Sequence, residues 1–160
     1  MGAPVPGPDV KFNFGLSLDL ARRYHAMADT ISSYQSGRNG LANKAMVDWQ
    51  GAKLTDFQQR MRVSNATAAE LEDAVRATAG LFASAWQHAA GQQLRVEWAR
   101  HCQNLDNKRS WVDKAWDSLA GDSTKLPPMP SDPPVPTAPD FAPTCNPFQY
   151  SPSATNAGAG

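Results

Sequence analysis

Val47-Asp48-Trp49-Gln50-Gly51 is the stretch on which the fold turns. On its N-terminal side Leu20, Tyr24, Met27, Ile31, Tyr34, Arg38, Leu41 and Ala45 recur at alternating steps of four and three. Seven of these eight can bury apolar surface, and Arg38 can lay its aliphatic stem along the same face. On its C-terminal side Leu54, Phe57, Met61, Ser64, Ala68, Leu71, Val75, Thr78, Phe82, Ala85 and Ala89 keep the same rhythm. Two striped helices on either side of a short non-periodic link must reverse there if their stripes are to meet. An aromatic such as Trp49 covers the open end of such a seam. A glycine such as Gly51 accepts the backbone angles of a tight reversal.

Working outward, the first helix is expected to begin after Gly15, with Ser17 as N-cap and Asp19 at the positive end of the dipole. Gly37 and Gly40 each cost about 1 kcal/mol relative to alanine. They leave a continuous or kinked helix in competition with a break between them. The second periodic run carries several small residues, which would let a neighbouring helix approach closely. It extends through Leu94, Trp98, Cys102 and Leu105, with Asn65, Gly91 and Asn107 as places where it could break. Thr67-Ala68-Ala69-Glu70 has the form of a capping box, but the seam does not change phase there. Ser110-Trp111-Val112-Asp113 reads as the start of a further helix through Leu119, stopped by Gly121.

Proline marks the limits of this helical region. Of the 13 prolines, three stand at positions 4, 6 and 8, ten stand at 127 or beyond, and none lies between 9 and 126. Since proline breaks helix interiors, the free stretch permits long helices. The expected organisation is a flexible N-terminus over 1–15, an all-α helical-hairpin domain over 16–120 and a disordered Pro-rich tail over 121–160. The Pro-x-x-Pro pieces of that tail could dock in an aromatic-lined groove, but a spacer role is favoured.

Composition narrows the function. There are 15 basic and 15 acidic residues in 160, which argues against a nucleic-acid partner. No apolar run reaches the length of about 18 residues that a membrane span needs, so no stable membrane insertion is expected. The opening residues lack a basic segment followed by an apolar run, so any export is expected to be independent of a signal peptide. Cys102 and Cys145 do not make a disulfide framework. Of these, Cys102 falls on the seam, and Cys145 in the tail could pair with another chain. His25, His88 and His101 are dispersed, and neighbours such as His101 and Cys102 point about 100° apart on a helix, which suits neither a shared metal nor a nucleophile–base pair. Glu70, Glu72 and Asp73 read as a solvated acidic face. No metal, cofactor, catalytic residue or enzymatic activity is expected.

With Trp49-x-Gly51 between two helices, Ala52 after it and Phe57 eight residues beyond Trp49, the region of residues 16 to 90 resembles the WXG family of small helical-hairpin substrates of type VII secretion. That resemblance implies dimerisation into an antiparallel four-helix bundle and export in the folded state, cytoplasmic before release and secreted or at the cell surface after it. It also implies a bipartite signal in which the Trp-x-Gly of one chain is paired with a Tyr-x-x-x-Asp/Glu of its partner. This chain departs from the pattern. Tyr24, Tyr34 and Tyr150 are followed four residues later by Ala28, Arg38 and Ala154. A partner would have to supply the missing half. The chain is also longer than the family's usual members by the Trp98-to-Trp116 extension and the tail.

The expected partners are a second copy, or a WXG-like hairpin from a neighbouring gene, and a secretion ATPase. Leu20, Tyr24, Met27, Ile31, Tyr34, Leu41, Leu54, Phe57, Met61, Leu71, Val75, Phe82 and Trp86 are the expected interface. A two-helix hairpin buries one stripe per helix and is marginal alone. Trp86, Trp98, Trp111 and Trp116 are expected to be core or partner-facing, with Trp98, Trp111 and Trp116 as candidate docking aromatics on the sharper reading. The competing function is a self-assembling helical scaffold with no role in secretion.

Overall fold

The computed structural model describes residues 3–108 and 126–152. It is all-α, with no strand among the described residues: α1 (Phe14–Ala45) and α2 (Ala52–Lys108) pack against each other as antiparallel neighbours. At a rise of about 1.5 Å per residue, α1 is roughly 48 Å long and α2 roughly 86 Å. The Pro-free composition over this range removes the commonest cause of helix termination. Gly37, Gly40 and Gly80 lie within the helices, each with open space around it. Their cost is therefore only conformational, and it breaks neither helix. The candidate breaks at Asn65 and Gly91 are likewise passed through without interruption, and Asn107 lies in the last turn of α2.

The chain divides into two compact units. One, the hairpin unit, consists of Gly15–Ser84 with Pro136–Ala142; the other, the strap unit, of Met1–Phe14, Ala85–Val135 and Pro143–Gly160. In the hairpin unit Leu18, Ala21, Ala28, Ala42, Val75, Ala79 and Ala83 are buried. The contact between α1 and α2 is therefore a seam of methyl groups, edged by Tyr24 and Phe82, whose ring centroids are 5.5 Å apart. The small residues that α2 buries here are Ala79 and Ala83, each one step along from the expected Thr78 and Phe82, while Ser64, Ala68 and Thr78 are half-buried and Ala85 is exposed.

Two start signals read from the sequence take other roles. Ser17 does not cap α1, which begins three residues earlier at Phe14. Its hydroxyl is buried and donates to the Phe82 carbonyl at 2.7 Å, because an Oγ on the seam side of the helix meets α2 rather than the helix's own first turn. Thr67 does not cap a new helix either; its Oγ1 donates back to the Val63 carbonyl at 3.1 Å. The expected helix from Ser110 to Leu119 lies outside the described residues.

Residues 126–152 contain neither helix nor strand, yet they are not a free spacer: Pro130, Pro133, Pro136, Phe141 and Pro147 are buried. A composition poor in helix and strand formers was read as unable to pack. Prolines have little conformational freedom left to lose, so they dock on an existing surface at small entropic cost. In the hairpin unit Phe141 adopts a φ of 42°, a backbone conformation that costs a bulky residue about 1–3 kcal/mol. Its surroundings hold it there. The ring is 5% exposed and meets His25 edge-on at 5.8 Å. Arg22 donates to the carbonyls of Asp140 and Phe141 at 2.5 and 3.3 Å.

Candidate functional site

The link between the helices is built around the motif that singled it out. The Met46 amide donates to the Ala42 carbonyl, ending α1, and the Trp49 amide donates to the Met46 carbonyl at 3.1 Å. Gly51 then takes φ +84°, and its carbonyl receives the Leu54 and Thr55 amides at 3.1 and 3.4 Å, opening α2. The left-handed angle is the reason a glycine stands there. The Trp49 ring meets Phe57 edge-to-face at 5.4 Å and 65°. Trp49 is nonetheless 46% exposed, so the tip presents part of an indole to solvent while fixing its other edge. Gly51→Ala is expected to lower stability by about 1–2 kcal/mol, since a left-handed angle brings Cβ against the following carbonyl. Urea denaturation followed by helical circular dichroism checks this, and an unchanged midpoint would mean the tip relaxes freely.

Below the tip, polar side chains cross-link the helices. Arg38 donates to Ser64 Oγ at 2.6 Å and to Asn65 Oδ1 at 2.5 Å. Asn65 in turn donates to Asn39, and Gln35 donates to the Asn65 carbonyl. Further along, Arg76 bridges Asp29 of α1 and Glu72 of its own helix at 2.8 and 2.9 Å, with the His25 ring beside it at 3.4 Å. The two carboxylates raise the Arg76 pKa by hydrogen bonding. A cleft between the helices is lined by amides, Arg62, Met46 and Met61; it holds no acid–base pair. Among the described residues no group of three or more His, Cys, Asp or Glu could hold a metal ion, and no helix is long and apolar enough to cross a membrane.

The expected interface residues separate into three groups. Val75 and Trp86 are 7% and 1% exposed; they face the interior of the chain, and for Trp86 that is the core placement the sequence left open. Leu20, Tyr24, Ile31, Leu54, Phe57, Met61 and Phe82 are half-buried along the edges of the hairpin. Met27, Tyr34, Leu41 and Leu71 stand out, at 51%, 77%, 70% and 51% exposure. The first three share one flank of α1, roughly 100° from the alanine seam on a helical wheel. Asp29, Thr30, Ser33, Gly37 and Arg38 complete that face. Every one of these residues belongs to one helix, so the feature is an open face rather than a cavity.

Trp98 does not stand free. Its indole Nε1 donates to the Pro127 carbonyl at 2.9 Å, an engagement within the chain. Trp111 and Trp116 lie outside the described residues. Sequence reasoning missed Gln93, which is fully buried yet polar. Its Oε1 accepts from the Val10 amide, and its Nε2 donates to Asp9 and Glu97. Arg100 adds ion pairs to both carboxylates, and this network ties the N-terminal segment to α2. Nothing in its local sequence, Gly91-Gln92-Gln93-Leu94-Arg95, marks it.

No protein family, no curated protein and no solved structure matches this chain.

Proposed function

We propose that this chain is a non-enzymatic substrate or adaptor of a type VII secretion system, similar to the WXG proteins, acting through helical-bundle contacts with a second hairpin. The observation that carries the reading is the tip: Trp49, packed on Phe57 and 46% exposed, stands two residues before a left-handed Gly51 at the reversal between two long helices. The exposed flank of Met27, Tyr34 and Leu41 supports association, because a sustained apolar face gains by leaving water. A partner hairpin from a neighbouring gene fits better than a second copy, since this chain has no Tyr-x-x-x-Asp/Glu to complete the signal. On this reading the complex leaves the cytoplasm folded, by way of a secretion ATPase, and needs no cofactor.

The test is Trp49→Ala expressed in the native host. The variant should keep its helical circular dichroism and fall at least tenfold in the culture filtrate while accumulating inside. Undiminished export would end the reading. Large homo-oligomers by light scattering, formed without the secretion machinery, would instead favour a self-assembling scaffold.

A further inference from the structure

In the strap unit, Gln87, Gly91, Arg95 and Trp98 recur at steps of four, four and three, which places them on one face of α2. Residues 126–135 lie along that face. Every residue from Leu126 to Pro136 except Ser131 is a proline or precedes one, so the segment is held extended and poor in amide donors. It can be recognised through its carbonyls. Trp98 Nε1 donates to Pro127 O at 2.9 Å and Gln87 Nε2 to Pro133 O at 2.9 Å. From the neighbouring segment, Tyr150 donates to Pro128 O at 3.0 Å and Thr144 to Pro134 O at 3.2 Å. The one charge in the segment, Asp132, pairs with Arg95 at 2.6 Å. Gly91 sits where that pair forms; a Cβ there would fall on the Asp132 carboxylate. A side chain at position 91 would therefore displace the Asp132 carboxylate from its place beside Arg95.

We infer that this face of α2 is a recognition groove for proline-rich, acid-bearing segments, with the chain's own residues 126–135 as its resident, tethered ligand. Four features carry different parts of the recognition. Trp98 and Gln87 donate to proline carbonyls, Arg95 reads the carboxylate, and Gly91 supplies the clearance. None requires covalent continuity between groove and segment. The groove accepts the same chemistry from a separate peptide once its resident is out of place. The inference is independent of any role in secretion.

The experiment uses the full chain with Pro130→Glu and Pro133→Glu, which place charges at two buried strap positions and leave the groove intact. The probe is a dye-labelled peptide of residues 126–136. Anisotropy titration should show binding at least tenfold tighter than to wild type, whose groove is filled, and Gly91→Leu added to the released chain should abolish it. The Trp98 indole N–H resonance should move on release and return when peptide is added. Equal binding to all three chains, or none to the released chain, overturns the inference. Should the released chain lose its helical circular dichroism, Arg95→Glu replaces it. That chain must bind a peptide carrying Asp132→Lys more tightly than the native peptide. The opposite order, or no difference, overturns the inference as well.

Discussion

Trp86→Ala is expected to lower the unfolding free energy by about 3–5 kcal/mol, the range for truncating a buried aromatic. Trp86 is among the largest fully buried side chains, at 1% exposure. Its near neighbours in sequence, Ala83, Ala89 and Ala90, are buried but small, and alanines cannot reach across to fill the space an indole leaves. Single domains have net stabilities of about 5–15 kcal/mol, so the loss would consume a large share of the total. Urea denaturation followed at 222 nm should show the midpoint fall sharply with the slope unchanged. A loss below about 1 kcal/mol would mean that the site collapses onto the vacancy.

Gln93→Ala is expected to cost about 1–3 kcal/mol, because it leaves groups unpaired that were desolvated to meet it. The side chain is fully buried and joins the Val10 amide, Asp9 and Glu97. The pH dependence tests the mechanism separately. The Asp9 carboxyl is held below its ordinary value of 3.8, first by the Gln93 hydrogen bond and then by Arg100, against partial desolvation. A carboxylate with a depressed folded pKa contributes stability that is complete above that ordinary value and lost as pH falls through the folded one. Wild type should therefore loosen its N-terminal segment below about pH 4, and Gln93→Ala should show a weaker acid transition. Hydrogen exchange at the Val10 amide reports on that contact directly. Equal acid sensitivity in the two proteins would assign the effect to other carboxylates.

Much of the architecture was legible because large side chains at steps of three and four mark helices wherever proline is absent. The reversal was legible because Trp49 and Gly51 interrupt that rhythm together. The buried face of α1 was less so. Reading by bulk points to Met27, Tyr34 and Leu41, whereas the residues that vanish from solvent are Ala21, Ala28 and Ala42. Alanine weighs little in any hydrophobic pattern, yet a residue that small is what lets two backbones come close. Ser17 misled for a related reason: a short hydroxyl can serve its own helix end or a neighbouring carbonyl, and only the second helix decides between them.

The packing of residues 126–135 was not legible because it depends on contacts far away in sequence. Pro127 meets Trp98, Pro133 meets Gln87, and Asp132 meets Arg95. No local window contains both partners. Gly91 was read as a place where the helix could break, when the helix runs through it and its missing side chain leaves room for the Asp132 carboxylate. A glycine inside a strong helix pattern, four residues from an arginine, is the one signal that could have pointed there.

The methyl-lined contact between α1 and α2 has a further consequence. Small alanine knobs give little resistance to one rod sliding lengthwise past the other, so the alignment of the pair leans on its directional bonds: Ser17 to Phe82, Arg38 to Ser64 and Asn65, Gln35 and Asn39 to Asn65, and Arg76 to Asp29. Removing those pins while sparing every alanine should leave a molecule equally helical but no longer confined to a single alignment.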